Sequence, residues 1–446
     1  MLLYILPNQL FEHKHIPKET EAIVLWEHPS FFTKYKFNKK KLLLHRASMK
    51  YYFDKLPNSI KKEYIDFNVK HSKAKQAFYF DPINKVETFI DNKYMLESPN
   101  FFIPKNMLLD IYDKKKSKSI SFTRYFYPRC KQHVDFLQNT SSTDNQNRQS
   151  FTEDLDIKVP NNKLDNDSKK YVFEAIQYVN TYFNKNYGNT DNFSFPIHHK
   201  GASVFLKHFI EYNLSNFGKY QDAFDTTHKN MFHSMLSSSL NIGLINPQDI
   251  LVQLKLIKKE VPLNSLEGYF RQLCWREFQR YCYIHYSYLS TRNYFSLKKP
   301  INKEWYEGTT NILPVDNCIK KAFDTGYLHH IERLMIIGNF MILSEIKPTH
   351  GHKWFMEFAI DSYEWVMLQN VYDMVFFNGN GLTSYKPYIT SNNYLIKMSN
   401  YSKTKEWNDV WNSKYRAFLK KHTSELYKYR YHFKLLLKKK NDNQIY

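Results

Sequence analysis

The chain has 446 residues, 42% hydrophobic and 17% aromatic, enough to bury rigid cores in two compact domains or three. Lys and Arg number 64 against 43 acidic residues, a net charge of +21 and a pI near 9.4 that favour a polyanionic partner through phosphate contacts. No run reaches the ~18–20 continuous apolar residues of a membrane span, and none of Cys130, Cys274, Cys282 and Cys318 forms a Cys-x-x-Cys pair, which sets aside membrane proteins, zinc modules and disulfide scaffolds.

The apolar runs Leu2–Leu6 and Ala22–Trp26 suit buried parallel strands. Met1–Leu6 is too short for a signal-peptide core and has no basic stretch before it, so a soluble, cytoplasmic protein is expected. Asn38–Leu56 has helical periodicity, Tyr64–Val69 reads as a third strand and Glu87–Ile90 as a fourth. Strands alternating with helices predict an α/β domain with a parallel sheet over residues 1–112. It contains no GxGxxG, so nothing local points to a dinucleotide there.

Residues 113–168 change character. Lys114-Lys-Lys116 opens the stretch and Asn139–Ser150 holds no apolar residue, which predicts an interdomain connector with ordered pieces around Phe122–Tyr127. An all-α domain is expected over 169–446. Its helices are read at Tyr171–Phe183, Ser203–Phe217, Leu266–Tyr288, Val315–Ile346, His350–Leu368 and Asp409–Phe433, with Lys438–Lys440 as a frayed tail.

Within that domain Ile331, Leu334, Met335 and Gly338 follow the spacing of a buried helical face. His329 and His330 open the helix, and their side chains point about 100° apart, so one fills the core while the other faces solvent or a pocket. His233-Ser-Met-Leu-Ser-Ser-Ser-Leu-Asn241 alone is a Ser-rich turn or cap, equally able to offer donors to phosphate oxygens. In Glu267–Glu277 and the turn after it, Arg271, Trp275 and Gln279 share one helical side, and Gln272 and Arg276 another. A Trp between two arginines suits an anionic, aromatic ligand.

In order and spacing these segments closely resemble the flavin-binding half of the cryptochrome/photolyase family. Phe355–Trp365, Asn370, Lys386-Pro-Tyr388 and Met398-Ser-Asn-Tyr401 belong to the same match. The branch is that of the prokaryotic (6-4) photolyases and bacterial cryptochrome-like proteins. Leu6-Pro-Asn-Gln9-Leu10, Val24-Leu-Trp-Glu27 and Leu44–Met49 look like its antenna domain, and the likeness fades across residues 113–165.

The resemblance implies a Rossmann-like antenna domain, a connector and a helical FAD-binding domain. FAD would be held by Tyr220, Ser234, Leu236, Ser237, Asn241, Arg271, Trp275, Arg276, Asp361 and Asn370. His330 would face the lesion as general acid with His329 as its tuner, and Tyr388 would lie near the lesion. Trp354 would stand next to the flavin in a photoreduction chain whose outer position falls at Tyr306. The implied activity is light-driven, FAD-dependent repair of UV-damaged DNA by a monomer, (6-4) lesions before cyclobutane dimers. The alternative is a blue-light photoreceptor that binds FAD without repair. An antenna chromophore of ribityl-lumazine type is allowed for. No iron–sulfur cluster or other metal is expected, since Cys318 alone matches a cluster cysteine.

This chain also departs from the pattern. His233 stands in a Thr position, Cys274 in a Gly position and Asp373 in another Gly position. Leu368-Gln369-Asn370 replaces Val-Pro-Asn, and Phe377-Asn-Gly-Asn-Gly381 replaces Phe-Ala-Asp-Gly-Gly.

Overall fold

Five short parallel strands make one sheet: β1 (Leu2–Ile5), β2 (Ala22–Trp26), β3 (Lys61–Ile65), β4 (Phe78–Phe80) and β5 (Met95–Leu96), in the order β3-β2-β1-β4-β5. The computed structural model describes residues 1–115, 119–152, 155–160, 164–228 and 230–433, so Lys438–Lys440 lies outside the described residues. β1 and β2 are central and nearly continuous in apolar side chains, as a sheet covered on both faces requires. β3 is an edge strand that alternates exposed Lys61 and Glu63 with Lys62 and Tyr64, and charge protects such an edge from further pairing. The strand expected at Tyr64–Val69 therefore begins earlier, in this polar stretch. The strand expected at Glu87–Ile90 is a turn, and its place in the sheet is taken by β4 and β5.

The helix Lys39–Lys55 starts where Asn38 accepts from the Lys40 backbone N–H at 2.9 Å. Arg46, buried on this helix, bonds Glu27 at the end of β2 (2.9 Å) and Glu174 on the helix Asn166–Tyr182 (2.6 Å), and reaches Asp66 as well. One guanidinium thus fastens the sheet domain to the first helix of the helical part.

The helical part is organised on Leu263–His285, 23 residues long. The single helix expected over Val315–Ile346 is three pieces. Leu313–Thr325 ends at Gly326, whose φ of 69° is left-handed, and the chain resumes with a π-helical turn, Glu332–Gly338, and then Asn339–Leu343. The span His350–Leu368 likewise divides into Pro348–Phe358 and Glu364–Met367, followed by a π-helical Leu368–Val375.

The described residues of the polar connector pack against the helical part at Phe122 and Asn147. Phe122 stacks on Trp275 with ring centroids 3.8 Å apart, and Asn147 is fully buried with its amide on the Asn264 carbonyl. Among the described residues no helix is long and apolar enough to cross a membrane.

Candidate functional site

A cavity of about 270 Å³ lies in the helical part between the 233–241 segment, Leu263–His285, the 327–334 segment and the 361–375 segment. Of the residues singled out from sequence, Ser234, Leu236, Ser237, Asn241, Arg276, His330, Asp361 and Asn370 meet on its wall. Four separate stretches of chain supply them, so only the tertiary fold brings them together.

Leu263–His285 turns Gln272, Arg276 and Gln279 to the cavity, a spacing of four and then three residues. Arg271 and Trp275 therefore fall on the neighbouring face. Arg271 pairs with Asp144 of the connector at 2.8 Å, and Trp275 lies under Phe122. Tyr220 also stands off the wall, stacked on Phe232 at 5.6 Å, and Phe217, one turn earlier, takes the wall position. Trp354 is behind the wall, fully buried, next to Phe355, which lines it. Tyr388 and His329 do not line it.

The electrostatics are those of an anion site in a largely apolar shell. The Arg276 guanidinium is buried, bonded to the Asn100 carbonyl (2.7 Å) and the Asn241 Oδ1 (3.2 Å), with Glu277 4.0 Å away. Burial pulls its pKa down to about 10, the mark of a cation stripped of water and incompletely compensated. Gln221 Oε1 is a buried acceptor on the wall without a hydrogen-bond partner among the described residues. Asn370 donates its amide to the Val366 carbonyl at 2.9 Å, which leaves Oδ1 uncommitted among the described residues.

Arg333 clamps Asp361 with two hydrogen bonds, and the charge of Arg333 holds the Asp361 carboxyl below the usual range against its burial. The Asp361 carbonyl accepts from Asn241 at 2.9 Å, so this pair also fixes the segment carrying Ser237. The residue types fit FAD: hydroxyls and a desolvated guanidinium for a diphosphate, aliphatic walls for a flat ring, and amide groups for its edges.

His329 lies just before the helical residue His330, and its backbone N–H is capped by Glu332 Oε2 at 3.1 Å. The His329 ring is buried, stacked on His233 at 4.5 Å and 13°, with neither nitrogen hydrogen-bonded among the described residues. His330 opens into the cavity. Its ring is exposed there, and the enclosing walls and then Arg333 lower its pKa, so in the free protein it is neutral at pH 7. Sequence reasoning did not single out Arg333, Tyr269 or Asp222 as wall residues. Arg333 was within reach, three residues beyond His330 on one helical face.

The departures at Gln369 and Asp373 are buried off the wall. Asp373 accepts from the Gly379, Thr383 and Ser384 backbone N–H groups and from the Thr383 hydroxyl, closing the loop that follows.

Residues 269–431 match the family described as FAD binding domain of DNA photolyase, and residues 3–87 that of deoxyribodipyrimidine photo-lyase-related protein. Over 292 residues, 63% of this chain, the sequence is 34% identical to the (6-4) photolyase of Agrobacterium fabrum, and it spans 57% of that protein's length. An uncharacterized protein of Acanthamoeba polyphaga mimivirus is 55% identical over 85 residues, 19% of this chain and 69% of its own length. A Synechocystis cryptochrome has the same fold, with a TM-score of 0.53 at 12% identity, covering 96% of this chain and 87% of that one.

Proposed function

The chain belongs to the photolyase/cryptochrome family, and from that premise we propose that it binds FAD and repairs UV photoproducts in DNA under light, (6-4) lesions in preference to cyclobutane dimers. The observation that carries this reading is the meeting of His330 with Arg276, Ser237, Asp361 and Asn370 around one cavity. A proton-handling group and the cofactor residues then share one cavity, so a lesion that reaches His330 is also next to the cofactor.

Reduced FAD, when bound, supplies a light-driven electron to the lesion and takes it back. The protein's part is positional and electrostatic. Ser234, Ser237 and Arg276 would offer donors to the diphosphate, and Asp361 holds Arg333 in place on the cavity wall. Leu236, Leu240, Leu273 and Leu334 keep water out.

His330 is neutral until a polyanion arrives. DNA phosphates near the mouth raise its pKa again, so that it can donate a proton to the flipped base and later retrieve it. The net charge of +21 supplies sequence-blind affinity for DNA. The same proposal includes a monomer, an antenna chromophore in the α/β domain and no iron–sulfur cluster, with domain limits at 1–112, 113–168 and 169–446.

The test is blue-light repair of oligonucleotides carrying a defined (6-4) or cyclobutane lesion by the purified, reduced, FAD-loaded protein. Repair of the (6-4) substrate supports the reading. FAD and DNA binding with repair of neither lesion would leave the photoreceptor alternative.

A further inference from the structure

We propose that His233 grips the FAD diphosphate as an imidazolium, so that this chain takes up a proton as it takes up FAD. The proposal rests on the reading that FAD occupies the cavity, and it concerns a residue at which the chain departs from the family's pattern. A Thr in this place offers a neutral hydroxyl, whereas a His can offer a full positive charge.

His233 and the next residue, Ser234, both line the cavity, together with Ser237 and Arg276. An anion that Ser234 holds therefore has His233 as its neighbour on the same wall. The ring is fixed from behind. Its Nδ1 meets the Asn230 carbonyl oxygen at 3.1 Å, Phe217 stands edge-on to it at 5.7 Å, and the His329 ring lies flat against it at 4.5 Å and 13°. Hydrogen bonds to the Asn230 and Gln221 backbones both favour the protonated ring, because a carbonyl oxygen only accepts.

The charges around this ring are cationic or can become so. His329 and His330 come from the 327–334 segment and Lys321 from the helix Leu313–Thr325, while Arg276 and Arg333 are cations on the same wall. The carboxylates nearby are committed elsewhere. Glu332 holds Lys321 at 2.7 Å, and Asp361 holds Arg333. Asp222, also on the wall, accepts from the Tyr394 hydroxyl at 3.1 Å, and burial raises its pKa away from the charged form.

With the walls excluding water and no uncommitted carboxylate beside it among the described residues, His233 is neutral in the free protein, its pKa lowered to about 4. A diphosphate reverses that balance, since it brings negative charge and oxygens that only accept. His329 has neither nitrogen hydrogen-bonded among the described residues, and it stays neutral beneath, because two charged rings 4.5 Å apart would repel. The stack thus admits one proton and not two.

Full-length protein loaded with FAD is diluted at a series of pH values between about 5.5 and 7.5, and release is read from flavin fluorescence. In wild type, FAD affinity should rise by up to ~10-fold for each pH unit as pH falls, the slope of one linked proton. Mixing the stripped full-length protein with FAD in weak buffer at acid pH should consume up to about one proton per FAD, read by an indicator dye. Nitrogen NMR of the loaded, histidine-labelled protein should show a doubly protonated ring that disappears in His233→Thr. That variant should bind FAD with a flat pH profile and no proton uptake. Where it fails to take up FAD, His233→Gln, another neutral donor, replaces it in the same measurements. A wild type that consumes no proton and binds FAD equally at every pH overturns the proposal while leaving FAD binding intact. So does a proton uptake unchanged in His233→Thr. Failure of the wild type to bind FAD overturns the proposal together with the reading beneath it.

Discussion

Arg333 and Asp361 face each other across the cavity wall as a parallel pair, Nη1 to Oδ1 at 2.9 Å and Nη2 to Oδ2 at 3.1 Å. They come from segments on either side of the helix Pro348–Phe358, and the pair joins them on the cavity wall: one partly buried cation, one buried anion, and His330 three residues from the cation. Such a pair gains little over apolar packing, but losing one member leaves a buried charge unmatched.

Asp361→Asn should therefore cost about 3 kcal/mol of stability, read from urea unfolding, by stranding Arg333. FAD affinity should drop at least ~10-fold, because Arg333, a wall residue, loses the carboxylate that orients it. The lowered Asp361 pKa means that its contribution is present above the unfolded carboxyl value and is lost only as pH falls through the folded one. An Asp361→Asn variant as stable as wild type at pH 7 would show that the pair is dispensable.

Phe122→Ala tests whether the connector is part of the fold. It removes a ring stacked at 3.8 Å on Trp275 and in contact with Tyr127 and Phe278, so a loss of about 3–5 kcal/mol is expected. A change within ~0.5 kcal/mol would mean that the segment rests on the helix without contributing to its stability.

The sequence made the central strands and the first long helix legible almost to the residue, for identifiable reasons. Leu2–Ile5 and Ala22–Trp26 are apolar without interruption, and Asn38 caps its helix. β4 and β5 have three and two residues, too few for any periodicity, and the start of β3 was hidden because this edge strand opens with the charged run Lys61-Lys-Glu63. Apolar spacing carried straight across Gly326, where a left-handed φ breaks the helix, since periodicity records burial and not continuity. At the site, the segments that meet were readable but the face of Leu263–His285 was not. Arg271 and Trp275 lie on the face next to Gln272 and Arg276, and only the connector's ring and carboxylate decide which face it covers.

Acid should destabilise the protein through the histidine cluster. Burial lowers the pKa of His233 and His329, with His233 near 4, while Lys321, near both rings, and Arg333, near His329, add positive charge. Between the unfolded value near 6.5 and the folded values the unfolded chain binds more protons, so stability rises with pH and is lost as pH falls through that window. Glu332 opposes this, since its raised pKa makes the folded state take up a proton as pH falls. His329→Leu should flatten the slope by up to ~1.4 kcal/mol per pH unit, measured by urea unfolding at pH 5 and 6. An unchanged slope would mean that His329 is charged in the fold.

Trp354→Phe should block photoreduction of oxidised flavin yet leave repair by the chemically reduced protein largely intact. The Trp354 indole donates to the Trp305 carbonyl at 2.6 Å, and Phe keeps the ring while giving up that bond and its oxidisability. Bleaching of the flavin band under blue light with a thiol present is the readout. An unchanged rate would mean that electrons reach the cavity by another route.

His330→Ala separates enzyme from receptor. If His330 is the proton donor to a (6-4) lesion, its removal should cut repair per absorbed photon at least ~10²-fold, the contribution expected of a positioned acid. Affinity for damaged DNA should change far less, since phosphate contacts supply most of it, and FAD content should persist because the Arg276 and Ser237 side of the cavity is untouched. In wild type, the pH profile carries a second signature. With the His330 pKa lowered in the free protein, repair should decline as pH rises above the value that DNA restores to it, and that midpoint should fall when salt screens the phosphates. A repair rate in His330→Ala equal to wild type would remove the acid from the mechanism even if the family's light chemistry is present.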